Sequence, residues 1–176
     1  MKKLTGVALG ALLAAAGSTA TAQSLANRIA SAGDRTVQFG YPTRTGVCGD
    51  GRSYVSTGPG NFYGTFNSNG SDQCQPGPAR VVIDVAGRNV VALRTYVGPA
   101  QPADAGVTNL GTVTATEAAD YLLTLASRAD GRVGRDAIFA ALLGENVDAT
   151  PRLLEIARDR GRPLETRRAA IGGLVR

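Results

Sequence analysis

Hydrophobic and polar positions along this chain repeat with two different periods, and the change falls near residue 112. Before it the period is two. Val81, Ile83 and Val85 fall on one face of an extended run, with Val82, Asp84 and Ala86 on the other. After the turn "AGRN", Val91, Leu93, Thr95 and Val97 alternate with Ala92, Arg94 and Tyr96, which predicts a β-hairpin. Further upstream, "RTVQFGYPTR" reads as a strand, and Pro42 predicts an edge strand or a strand end. "SLANRIASAGD" places Leu25 and Ile29 on one helical face behind Ser24, a residue suited to the N-cap. "GPAQPADAG" then interrupts both patterns and marks a boundary between two units.

Beyond that boundary the period is helical. Thr114-x-x-Glu117 has the form of a capping box, in which the threonine oxygen accepts from a backbone amide and the glutamate reaches back. Tyr121, Leu122, Leu125 and Ala126 share a face, and Gly131 is the expected stop. "GRDAIFAALLG" predicts a second helix with Ala137, Ile138, Ala141 and Leu142 inward and Gly144 at its end. Thr150-Pro151 opens a third, since proline suits the first helical turn, and Leu153, Leu154, Ile156 and Ala157 form its apolar face. A fourth follows Pro163.

Residues 46 to 78 fit neither period. Glycine, serine and asparagine dominate, and only "RSYVST" and "NFYGTF" have strand character. A stretch so poor in aliphatic side chains does not offset its ordering entropy by burial. The only two cysteines, Cys48 and Cys74, bracket it. The chain opens with "MKK", a short apolar run and "ATAQ", the order of a secretory signal cut after Ala22. In an oxidising compartment the two cysteines are expected to form a disulfide worth roughly 3–4 kcal/mol. An uncleaved anchor helix is the other reading of residues 1–22. The expected localisation is secreted or periplasmic, without a membrane span in the mature chain.

Composition removes several activities. The chain has no histidine, so it holds no Ser-His-Asp triad, Cys-His pair or histidine metal site. A nucleophilic Cys48 would lack its usual base. Both lysines lie at positions 2 and 3, and arginines elsewhere are interspersed with acids. The net charge of +5 is therefore not the dense basic stripe of a nucleic-acid binder. "NSNGSD" at 67–72 lacks the alternating acids of a calcium loop. Asp50, Asp72 and Asp84 are carboxylates available to a hydrolase, but nothing in the sequence pairs them. No catalysis and no cofactor are expected.

The helical part contains an internal repeat. Leu122, Leu123, Leu125 and Ala126 match Leu153, Leu154, Ile156 and Ala157 at an offset of 31. Arg135, Ala137, Leu142 and Leu143 match Arg167, Ala169, Leu174 and Val175 at an offset of 32. "LLEIARDRGRPLETRRAAIGGL" resembles a HEAT repeat of the short, lyase-associated kind, through Leu153, Leu154, Ala157, Asp159, Pro163, Glu165, Arg167, Ala169, Ala170 and Leu174. That resemblance implies a structural role for Asp159 and Arg167, with Arg135 as the earlier counterpart, in tying one repeat to the next. The first copy has Arg128 where the aspartate belongs, with Asp130 close by.

The expected fold class is α+β: a small disulfide-stapled antiparallel β module over 23–112, followed by about two HEAT-like hairpins over 113–176. The expected role is a scaffold that binds another envelope or secreted protein, and no nucleic acid. Arg128, Arg132, Arg158, Arg162 and Arg168 gather around the helical turns, and Phe62 and Tyr63 sit on a glycine-rich loop; these are the candidate contact residues. The alternative is an envelope polysaccharide or peptidoglycan binder that uses Tyr54, Phe62 and Tyr63.

Overall fold

A computed structural model describes residues 23–64, 74–99, 101, 104–129 and 131–175. The expected leader, the 67–72 loop with Asp72, and Asp130 lie outside the described residues. The rest is a mixed α+β structure with five helices, a four-stranded sheet, a three-stranded sheet and a Cys48–Cys74 disulfide.

The chain begins with helix α1 (Leu25–Ala32), which buries Leu25 and Ile29. Ser24 caps it, its Oγ accepting from Asn27 N at 3.4 Å. Strand β1 (Thr36–Tyr41) follows and lies second from the end of the larger sheet, whose order is β6-β5-β1-β7. It is therefore not an edge strand. Pro42 lies one residue past its end, where it removes no ladder hydrogen bond. β5 (Ala79–Ala86) pairs antiparallel to one side of β1, and β7 (Thr108–Thr112) pairs parallel to the other.

β5 and β6 (Asn89–Val97) form the expected hairpin. Gly87 and Arg88 both have positive φ, 56° and 64°, as a two-residue type I′ turn requires. One prediction fails inside it. Val85 pairs with Val90, while Asp84 pairs with Ala92, so Val91 is the extra residue of a β-bulge. It turns outward and is 56% exposed, and Val90 takes the place against the core instead.

The smaller sheet consists of β2 (Cys48–Gly49), β3 (Tyr54–Ser56) and β4 (Phe62–Gly64), in that order. The last two are the strands read from "RSYVST" and "NFYGTF".

Two helical hairpins complete the molecule: α2 (Ala115–Ala126) with α3 (Gly131–Ala141), and α4 (Thr150–Arg158) with α5 (Leu164–Leu174). Thr114 caps α2, its Oγ1 accepting from Glu117 N at 3.1 Å. The glutamate of this box does not fold back. Its Oε1 accepts from Leu25 N at 2.7 Å and so caps α1 from a position remote in sequence. Gly131 is the first residue of α3 rather than the stop of α2, which ends four residues earlier around Ser127.

Equivalent positions of the two hairpins are buried alike. Leu122 and Leu153, Leu125 and Ile156, Gly134 and Thr166, and Ile138 and Ala170 are all buried. α3 and α5 touch directly at Gly134, where an added Cβ would lie 2.7 Å from Thr166 Oγ1.

Sheet and helices share one continuous core that runs from Leu25 to Ala170. Phe39 meets Tyr121 edge-on at 6.2 Å, and the Tyr41 hydroxyl donates to Ala140 O near the end of α3. Past β1 the backbone pairs with the α3–α4 connection through Arg44 N to Leu143 O at 2.9 Å and Glu145 N to Pro42 O at 3.2 Å. No helix among the described residues is long and apolar enough to cross a membrane.

Candidate functional site

The stapled segment is built around backbone contact. Cys48 and Cys74 are joined with a Cα–Cα distance of 5.1 Å, and the neighbouring Gly49 and Gln75 exchange N–H to O bonds of 3.0 Å each. Gly49 lies against the end of β6 so closely that an added Cβ would be 2.4 Å from Val97 O. Gly51 N donates to the same carbonyl at 2.8 Å. The glycines flanking Cys48 thus let the stapled turn press backbone-to-backbone on the larger sheet.

Asp50 sits at the centre of this turn. Its carboxylate accepts from Arg52 N at 2.9 Å, Ser53 N at 2.8 Å and Tyr54 N at 3.1 Å, and from the Ser53 hydroxyl. Slight burial works to raise its pKa. The Ser53 hydroxyl and the three backbone donors lower it by more, and hold it well below the usual carboxylate range. The carboxylate organises the loop through its charge. Asp84 is likewise engaged, by Arg94 at 3.0 Å and by Thr36 Oγ1 at 2.8 Å. Among the described residues no group of three or more potential metal ligands converges.

The three aromatic side chains read as a glycan platform do not share a surface. Tyr54 is buried, whereas Phe62 is 56% exposed. The Tyr63 ring lies 4.4 Å from Phe139 of α3. This last contact ties the stapled segment to the first helical hairpin.

The candidate arginines fall into two groups. Arg128 and Arg132 are near the α2–α3 turn, and Arg132 pairs with Asp136 at 3.4 Å. Arg135 pairs with the same aspartate at 3.2 Å. Arg158 and Arg162 flank the α4–α5 turn, and Arg168 is exposed on α5. Asp159 accepts from Gly161 N at 2.8 Å and from Arg162 Nε at 3.1 Å, and Arg167 Nε donates to Ala157 O at 3.2 Å. These bonds all lie within the second hairpin, where they brace its turn.

No family model, curated protein or solved structure matches this chain.

A further apolar surface lies on α5. Leu164, Ile171 and Val175 are 56%, 52% and 82% exposed. Their spacing of seven and four puts them along one face of α5, with Arg168 between them. Beside this stripe a groove of about 400 Å³ runs between α3 and α5. Phe139 and Tyr63 form one wall, Gly172 leaves the floor open, and Arg135 and Arg168 stand at the rim with Glu165. The repeat offset contained the signal: Ile171 is the counterpart of Phe139, and Phe139 packs against Tyr63 while Ile171 is half exposed.

Proposed function

We propose that this is an extracytoplasmic, non-catalytic interaction protein that docks another polypeptide along α5 and the α3–α5 groove. In this reading the paired hairpins are HEAT-like repeats that present a rigid face, and the stapled β segment braces it. The observation that carries the reading is the contrast between equivalent positions. In the first hairpin Phe139 is covered by Tyr63, whereas Ile171 in the second is half exposed beside Leu164 and Val175. Contiguous apolar surface rimmed by charge is characteristic of a protein contact. The partner expected from the rim is a segment with an aliphatic or aromatic anchor over Gly172 and acidic residues opposite Arg135 and Arg168. The disulfide fits an oxidising compartment, as the leader expectation requires. The polysaccharide reading has less support, because Tyr54 faces the interior and Tyr63 is packed on α3.

A photo-crosslinking residue at Ile171, in the native host, tests the proposal. A discrete adduct is expected at 171 and not at the exposed Thr116 of α2. Ile171→Asp in a second, site-172-labelled chain should abolish that adduct while leaving thermal unfolding near wild type. An adduct pattern at 171 no different from that at 116 would sink the idea.

A further inference from the structure

A larger cavity lies elsewhere, between α1, the β5–β6 turn and the α2–α3 turn. Its volume is about 650 Å³, within the ~300–1,000 Å³ range of small-molecule sites. Its floor is apolar: Ile29, Val85, Val90, Tyr121, Leu125 and Val133. Along α1 the wall consists of Ala26, Ala30 and Gly33, which carry too little side chain to fill the space. The bulge at Val91 contributes to the floor, because it directs Val90 inward.

Polar groups stand among the lining residues. Tyr121 is 7% exposed, and its ring is fixed edge-on against Phe39. Tyr121 lines the cavity, where its hydroxyl is a hydrogen-bond donor. Burial pushes this phenol up, and the charge of Arg128 opposes that, so it stays a neutral donor at ordinary pH. Arg128 and Arg88 stand on the rim, and neither is paired with a carboxylate among the described residues. Asp34, the one acid at the rim among the described residues, is occupied: its Oδ1 accepts from Arg88 N at 3.3 Å and fixes the hairpin turn.

An apolar trough bordered by a donor hydroxyl and two cations complements one kind of molecule. We propose that this groove binds a single-chain organic anion, an apolar body bearing one carboxylate. The chain lies along Ile29, Val90 and Leu125. The carboxylate accepts from the Tyr121 hydroxyl and from Arg128, while Arg88 adds charge at longer range. A neutral amphiphile would bury the same apolar surface but leave the arginines without a counter-charge. A cationic one would meet repulsion.

Isothermal titration of the full, disulfide-intact chain with decanoate, decanol and decyltrimethylammonium tests this. Decanoate should saturate at one per chain. Decanol should bind about tenfold more weakly or worse, the cost of one charge-assisted hydrogen bond. Arg128→Gln and Tyr121→Phe should each weaken decanoate by about five- to tenfold without changing decanol. Ala30→Phe, at an exposed position of α1 that lines the groove, should block both. Ile171→Asp should leave decanoate binding unchanged, so this proposal and the docking of a polypeptide on α5 stand or fall separately. Equal affinity for decanoate and decanol, indifference to both Arg128→Gln and Ala30→Phe, or no saturable decanoate binding would each overturn the assignment.

Discussion

Asp50 illustrates how one side chain can organise a loop that has little apolar content. Three consecutive backbone N–H groups converge on its carboxylate, and they favour its ionised form. The pKa is therefore lower in the folded chain than in the unfolded chain, where an aspartate titrates near ~3.9. A depressed folded value contributes stability above that pH, and the contribution is lost as the pH falls below about 4. Wild type should accordingly exceed Asp50→Asn in stability at pH 6, and the gap should narrow by pH 3. Denaturant titrations at the two pH values check this, and a gap that is constant with pH would refute it. The glycines around Cys48 mark this segment in the sequence only as turn-rich. That Asp50 was its centre was not legible, because the donors belong to backbone whose direction only the fold sets.

Among the elements, those with strong periodicity were readable and those held by distant partners were not. α1, the β5–β6 hairpin and α4 follow from caps, turn residues and apolar spacing. β7 was missed because "TNLGT" has almost no apolar alternation; it is a strand because β1 offers it an edge. Val91 was placed on the wrong face because a bulge shifts the alternation by one, and a period-two reading cannot register an inserted residue. The three-stranded sheet depends on covalent support as well as pairing. Replacing Cys48 and Cys74 together by serine should lower stability by about 3–4 kcal/mol. Urea unfolding of the variant, compared with wild type under oxidising and reducing conditions, measures that loss. If the variant equals oxidised wild type, the bridge is not a staple. The apolar stripe of α5 was present in the sequence as Leu164, Ile171 and Val175, but residues of this kind are ordinarily core. Only the placement of the neighbouring helices shows that nothing described covers them.

For the whole molecule, the central fact is that strands and helices share side chains in a single core. Phe39 and Tyr41 of β1 rest on α2 and α3, and Glu117 of α2 caps α1. The two segments, 23–112 and 113–176, should therefore fail to fold when made apart. Circular dichroism melts should show no cooperative transition for either, and a fragment that melts like the intact chain would refute this. The change of hydrophobic period near residue 112 was visible in the sequence. The contacts that cross it were not, since they join distant residues, 99 positions apart in the case of Tyr41 and Ala140.

The parallel pairing of β1 with β7 has a consequence for how the chain is made. Synthesis delivers β1 early and Thr108–Thr112 much later. During that interval one side of β1 shows unsatisfied amides and carbonyls together with Val37, Phe39 and Tyr41, a template on which a second nascent chain can add a strand. Any product that ends before residue 108 keeps that template permanently. Premature termination should thus yield aggregates through strand addition rather than a smaller soluble protein, and a cell that makes this chain has reason to shield it until its last strand has arrived.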